Sequence, residues 1–247
     1  MRETLLELKD VALTYQTKTD EIQAVKNLSF SLKEGEFISV IGPSGCGKTT
    51  ILSLIAGLMR PTRGTIKVAK GNAHFGYMLQ KDQLFPWRTI EKNIFLPLEI
   101  MKKFDKAHIA YAEELLKKYG LYEFRKNYPS ELSGGMRQRA ALIRTLSFNP
   151  DILLLDEPFS ALDYQTRLSV CNDVYRIIKD EGKSTILVTH DISEAISMSD
   201  TIIVLSKRPC TVKYVHEIPR GGDSPLKRRE REDFHKWFEL LWKELNE

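Results

Sequence analysis

Apolar and polar positions alternate from Leu5 to Tyr15 and again from Leu28 to Leu32, with a polar stretch from Gln16 to Gln23 between them. The pattern predicts two strands of an antiparallel sheet. Glu36 to Ile41 is a β-rich run that stops at Gly42, and from Thr49 to Leu58 the apolar residues Ile51, Leu52, Ile55 and Leu58 fall at helical spacing. The order there is strand, glycine loop, helix. Thr65 to Ala69 and Gly76 to Leu79 read as further strands. From about Phe85 to Leu146 the pattern becomes helical and separate, broken by Pro86, Pro97 and Pro129. Beyond Asp151, Ile152 to Leu155 and Thr185 to Thr189 are continuous apolar runs on either side of a helical segment, Tyr164 to Asp180. Parallel strands joined by a crossover helix have this form. Thr201 to Leu205 and Val212 to Val215 add edge strands. Glu232 to Leu245 closes with an amphipathic helix that carries Phe234, Trp237, Phe238, Leu241, Trp242 and Leu245.

The fold predicted is therefore α/β, a core with a mainly parallel sheet, an antiparallel β subdomain and an inserted α-helical subdomain. Its expected boundaries place the core and the antiparallel sheet in 1–84 and 147–220, the helical segment in 85–146, and the C-terminal amphipathic helix in 221–247. All of these form one domain. A chain of 247 residues can bury a full core without disulfides or metals. Charge-free stretches, Phe37 to Gly47 and Thr49 to Met59, fall short of the roughly 20 apolar residues of a bilayer span. Met1 to Glu7 lacks the features of a secretory signal, so residence in the cytoplasm is expected. Cys46, Cys171 and Cys210 are too few and scattered for a disulfide framework, and no Cys or His pair has zinc-ligand spacing. The net charge of +4 gives no licence for nucleic-acid binding. Arg220, Lys227, Arg228, Arg229 and Arg231 are interrupted by Asp223, Glu230, Glu232 and Asp233, which reads as a solvated face.

Gly42-Pro43-Ser44-Gly45-Cys46-Gly47-Lys48-Thr49 is a complete phosphate-binding loop pattern set between a predicted strand and a predicted helix. Its glycines let backbone N–H groups turn inward around phosphate oxygens, and the helix start adds its positive dipole end. Lys48 is expected on the β and γ phosphates and Thr49 on Mg²⁺. Asp156 and Glu157 follow the buried run Ile152 to Leu155, at the C-terminal end of a parallel strand where such sheets present ligands. Asp156 suits the metal shell. Glu157 is placed to orient or deprotonate an attacking water, a contribution of roughly 10² to 10⁴-fold. Leu132-Ser133-Gly134-Gly135-Met136-Arg137-Gln138 opens a helix with apolar positions Met136, Ala140, Ile143 and Leu146, and forms a second candidate anion cradle. Two cradles with a single lysine-bearing loop are most economically used in a head-to-tail dimer. Cys46 is read simply as a small residue of the loop.

Gly42 to Thr50, Gln80, Leu132 to Gln138, Asp156-Glu157, Ser160-Ala161-Leu162-Asp163 and His190 stand in the order and context of the ATP-binding cassette family, which the chain resembles over nearly its whole length. The resemblance implies a P-loop ATPase core that binds ATP and Mg²⁺ through Gly42, Pro43, Ser44, Gly45, Cys46, Gly47, Lys48, Thr49 and Thr50. It implies that Tyr15 stacks on adenine and that Gln80 joins Thr49 and Asp156 at the metal. Ser133, Gly134, Gly135 and Gln138 would contact nucleotide as the second cradle. It further implies that Asp163 signals across the dimer and that His190 contacts the γ-phosphate. By itself, Tyr15 at a strand end is as often packing as stacking, and a lone His190 is more often structural; their weight comes from co-occurrence.

Catalytic roles are thus expected at Glu157, His190, Lys48 and Gln80. The partners implied are a second cassette in a homodimer, transmembrane permease subunits, and through them an external solute-binding protein, with no nucleic acid. The expected location is peripheral, on the cytoplasmic face of the membrane. Gln80 to Arg88 resembles the matching segment in cassettes for nitrate, taurine and aliphatic sulfonates, which favours import of a small solute. Phe85 stands where leucine is commoner, and thiamine-precursor or riboflavin-type importers share much of this segment. Alternatives are an exporter or lipoprotein-extracting cassette, a cassette serving DNA or the ribosome, and a regulatory module that hydrolyses poorly. Glu157 and His190 speak against the last. The absence of a coiled-coil insertion and of a second cassette speaks against the DNA and ribosome forms.

Overall fold

The computed structural model describes residues 3–16, 20–69, 73–219 and 222–247. Part of the expected Gln16 to Gln23 connection, and Arg220, lie outside the described residues. β1 (Thr4–Gln16) pairs antiparallel with β2 (Glu21–Lys33) on one side and β4 (Arg63–Val68) on the other. Leu6 and Leu8 are buried while Glu7 and Lys9 face out, the alternation of a half-buried strand. The larger sheet runs β5 (Phe75–Met78), β6 (Ile152–Asp156), β7 (Ser184–Thr189), β3 (Phe37–Ile41), β8 (Thr201–Leu205) and β9 (Val212–Glu217). All of its pairs are parallel except β8 with β9.

The edge position expected for Thr201 to Leu205 is corrected, because β8 lies between β3 and β9. Ile202 to Leu205 are buried without alternation, as a strand covered on both faces requires. The helix after the glycine loop is also shorter than expected. α1 spans Lys48–Ile55, after which Gly57 adopts φ +72° and the N–H of Leu58 returns to the carbonyl of Ser53 at 2.9 Å. That glycine-centred closure ends the helix and turns Leu58 outward, 70% exposed.

The helical insertion contains α2 (Ile90–Ile100), α3 (Lys106–Lys118) and α4 (Gly134–Leu146). Pro97 lies inside α2 without breaking it, removing only the helical donor to the Asn93 carbonyl. Though distinct in composition, the insertion shares one hydrophobic core with the sheet. Ile94, Leu98, Leu115 and Leu142 belong to the same cluster as Phe37, Met78, Leu153 and Leu155. α5 (Tyr164–Asp180) matches the expected span and packs on α4. On the opposite sheet face, Ile38, Val40, Leu154, Ile186 and Val188 pack with α1 and the antiparallel sheet. α6 (Ile192–Met198), α7 (Pro225–Arg229) and α8 (Glu232–Asn246) complete the chain. Leu241 buries against α6 and β8, joined by Phe234, Trp237, Phe238 and Leu245. Trp242 was expected on that face but is 59% exposed, with its ring stacked on Phe238.

Candidate active site

β3 ends at Ile41, and the loop that follows turns back on itself before α1. Gly45 (φ +73°) and Gly47 (φ +124°) occupy backbone conformations that a side chain would strain. Gly47 caps α1 without a side-chain hydrogen bond, and the first turn of the helix carries no acid. Its amide groups are therefore left for an anion. The buried Lys48 amino group curls over the loop and donates to the carbonyls of Gly42 (2.9 Å) and Pro43 (3.1 Å). The buried thiol of Cys46 is pulled below the ordinary range by a hydrogen bond with Cys210 and, secondarily, by the Lys48 charge.

Asp156, the last residue of β6, accepts hydrogen bonds from Thr49 Oγ1 (3.2 Å) and Tyr77 OH (3.4 Å). Burial raises its carboxyl above the ordinary carboxylate range, and the adjacent Glu157 charge adds to the effect. Burial likewise pushes the Tyr77 phenol up to about 12, with Asp156 contributing. A hydroxyl and a desolvated carboxylate form a hard oxygen pair suited to Mg²⁺, whose charge would relieve the desolvated acid. Gln80 is not hydrogen-bonded to this pair among the described residues. Its amide donates instead to Glu157 Oε2 and Ser160 Oγ, each at 3.4 Å.

Glu157 has φ +45°, and its N–H donates to Val188 O at 2.8 Å, which carries the sheet ladder one residue past the strand. The twist aims its carboxylate at His190, whose Nδ1 lies 3.1 Å from Oε2. A carboxylate only accepts, so the imidazole Nδ1 carries the proton and donates. Glu157, Gln80 and His190, dispersed in sequence, thus form one cluster. Tyr15 meets the far end of the loop, with its hydroxyl 3.2 Å from Thr50 Oγ1.

The second cradle lies elsewhere. Ser133 caps α4 by accepting from Met136 N (3.3 Å). The helix start packs so closely that a Cβ on Gly135 would lie 2.9 Å from Val170, and one on Gly134 would lie 3.2 Å from Leu162. Gln138, expected at nucleotide, is buried and donates its amide to Pro158 O, leaving Ser133 and Gly134 at the surface. Asp163 caps α5 through Thr166 N, and the hydrogen bonds from Thr166 hold its carboxyl below the ordinary range. Among the described residues, no hydrogen bond or ion pair links 133–138 to 42–50.

A family model described as ABC transporter matches residues 25–160. The chain belongs to the ATP-binding cassette transporter family. It is an ATPase of that family. The ABC transporter ATP-binding protein YtlC of Bacillus subtilis, itself uncharacterized, is 47% identical over 98% of this chain and 96% of its own. The aliphatic sulfonates import ATP-binding protein SsuB of Bacillus cereus is 38% identical over 88% of this chain and 89% of its own. Among solved structures, the dimeric post-hydrolysis state of the cassette MJ0796, bound to ADP and Pi, superposes with a TM-score of 0.73. It is 33% identical and covers 87% of this chain and 99% of that one.

Tyr77, Ser160 and Arg208 are contacts of this cassette's site that sequence reading did not assign. Arg208 donates to the carbonyl of Gly45 at 2.9 Å. The cassette also carries an apolar groove of about 720 Å³, bounded by Leu84, Phe85, Pro86, Trp87, Leu96 and Ile100. Asn93 fixes its rim by accepting from Phe85 N (2.7 Å) and donating to the carbonyls of Phe85, Arg88 and Thr89. Trp87 is 71% exposed there, with its ring 5.1 Å from that of Phe85. Among the described residues, no helix is long and apolar enough to cross a membrane.

Proposed function

We propose that this cassette powers the import of a small solute of the nitrate, sulfonate or taurine type, as one half of a head-to-tail dimer docked on the cytoplasmic face of a permease. The solute would reach that permease on an external binding protein. The observation that carries the catalytic part is the Glu157 carboxylate held between Gln80 and His190 beside the phosphate loop. Support for import comes from the likeness to SsuB. Support for the dimer comes from the MJ0796 assembly, and from a second cradle that has no link to the loop of its own chain.

In this reading the glycine loop and Lys48 bind the triphosphate, and Tyr15 flanks the base. Thr49, Asp156 and Gln80 would hold Mg²⁺, which when bound neutralises phosphate charge as the terminal bond breaks. Glu157 takes a proton from the attacking water. Nδ1–H of His190 orients that carboxylate, and a contact from Nε2 to the γ-phosphate would require Nε2 to carry a proton as well, since phosphate oxygens only accept. Ser133 and Gly134 of the second subunit close the site from the other side, and Asp163 lies at the same junction.

Glu157→Gln tests the reading. It preserves size and both cradles but removes the base, so ATP binding should persist while phosphate release falls by roughly 10² to 10⁴-fold. Size exclusion with saturating ATP should then show a stable dimer, which Ser133→Arg on the same background abolishes. A Glu157→Gln protein that remains monomeric under those conditions overturns the shared site, and undiminished turnover overturns the base.

A further inference from the structure

The connection from β8 to β9 lies against the phosphate loop from outside, and nothing in the catalytic assignment uses it. Ser206 ties it together, donating to the carbonyls of Lys207 (2.8 Å) and Pro209 (3.1 Å) and accepting from the N–H and hydroxyl of Thr211. Two backbone bonds fasten it to β2, from Cys210 N to Ala24 O and from Lys26 N to Cys210 O, each 2.9 Å. Gly47 packs on the same spot, where a Cβ would lie 3.5 Å from Ala24 O and 3.7 Å from Cys210 Cβ. The buried thiols of Cys46 and Cys210 meet across the seam. The connection is thus a rigid platform facing Gly45, Cys46 and Gly47. From it, the Arg208 guanidinium donates to the Gly45 carbonyl at 2.9 Å.

That bond bears on nucleotide because the peptide is planar and trans: a carbonyl drawn outward sends the N–H of the same peptide the opposite way. The N–H in question is that of Cys46, which points to the inside of the turn and reaches Pro43 O at 3.2 Å. Apart from that turn bond to Pro43, packing adds no further restraint on this peptide, since Gly45 has φ +73° and open space beside it. We propose that Arg208 is a positioning residue for nucleotide, holding the Gly45–Cys46 peptide with its N–H toward the phosphates. Arg208 does not touch the reacting atoms. It acts through the loop, and the charge on its guanidinium strengthens the hydrogen bond.

Because the side chain is exposed, it adds little to folding, which separates the positioning role from a merely structural one. The full chain is compared with Arg208→Met, which keeps length and loses the donor, and with Arg208→Lys, which keeps a charged donor. A fluorescent ATP analogue with Mg²⁺ reports Kd, phosphate release gives KM and kcat, and thermal melts report stability. For Arg208→Met, Kd and KM should rise about fivefold, since a single charged hydrogen bond to the loop is lost. Its kcat should stay within about twofold and its Tm within about 2 °C of the parent. Arg208→Lys should bind within about twofold of the parent. An unchanged Kd in Arg208→Met overturns the proposal, as does a Lys variant that binds as weakly as the Met variant. A fall in kcat at constant KM, or a binding loss that tracks a large drop in Tm, also overturns it. Turnover by the parent protein in the same assay keeps these outcomes separate from any failure of the ATPase itself.

Discussion

Glu194 is a carboxyl group with almost no water around it, in the first turn of α6 and four residues beyond His190. It accepts from Thr189 Oγ1 at 2.6 Å, and that hydroxyl in turn accepts from Asp191 N at 3.0 Å, so the residues on both sides of His190 are tied to Glu194. Burial raises its pKa from 4.5 to about 7. Between those values the folded protein keeps a proton that the unfolded chain has released, so stability falls as pH rises through the window. The contribution is complete below pH 4.5 and is lost above about 7, a total of about 3 kcal/mol. Glu194→Gln keeps the acceptor and removes the titration. Its melting temperature should vary less between pH 5 and pH 8 and exceed that of the parent at pH 8. Parallel melting curves for the two proteins over that range would refute this. Sequence reading had no means of marking Glu194, because its burial comes from packing remote in the chain. Tyr77 and Arg208 were hidden for the same reason, their partners lying 79 and 163 residues away. Lys48 and Thr49 were legible because a contiguous loop carries its own chemistry, and Asp156 because it ends an apolar run.

At the level of elements, α4 lies on β5 through a glycine. A Cβ on Gly76 would sit 2.8 Å from Thr145 Cγ2 and 2.9 Å from both Leu153 Cδ2 and Pro150 Cγ. This glycine has no unusual backbone conformation, so it is required for space alone. Gly76→Val should therefore lower the unfolding free energy by about 1–3 kcal/mol through overpacking, read as an earlier midpoint in chemical denaturation with nucleotide binding retained. An unshifted midpoint would mean that α4 lifts off the sheet freely, and that the close approach contributes nothing. The same reliance on packing explains which elements the sequence disclosed. α5 was legible to the residue because Asp163 caps it and helical periodicity then runs to Asp180. α6 escaped, being seven residues long and buried nearly all round, which leaves no amphipathic signature. β8 had the right span but the wrong place, since an apolar run does not say how many neighbours a strand has. Leu58 and Trp242 fit their helical periodicities, yet a glycine closure turns Leu58 into water and Trp242 stays outside the cluster that buries Leu241.

For the whole molecule, the consequence of that exposure is largest at the groove between sheet and helical insertion. Trp87, Ile100, Leu79 and Phe85 all present apolar surface around it, beside a rim that Asn93 holds rigid. A side chain as open as Trp87 stabilises the isolated subunit very little. Covering it with a cytoplasmic helix of the permease would contribute about 1.5–3 kcal/mol, enough to change affinity by about tenfold or more. Gln80, eleven residues before Glu91 of α2 and hydrogen-bonded to Glu157, joins this rim to the Glu157–His190 cluster, so a permease helix docked here would share a segment with the proposed hydrolytic site. Trp87→Ala should leave the melting temperature and ATP affinity of the isolated subunit within about 1 °C and about twofold of the parent. Association with detergent-solubilised permease should weaken by about tenfold or more, and solute uptake in cells should fall with it. A variant that melts several degrees lower while its folded fraction still couples to the permease would place Trp87 among the residues that hold the subunit together, and the groove would then need another occupant.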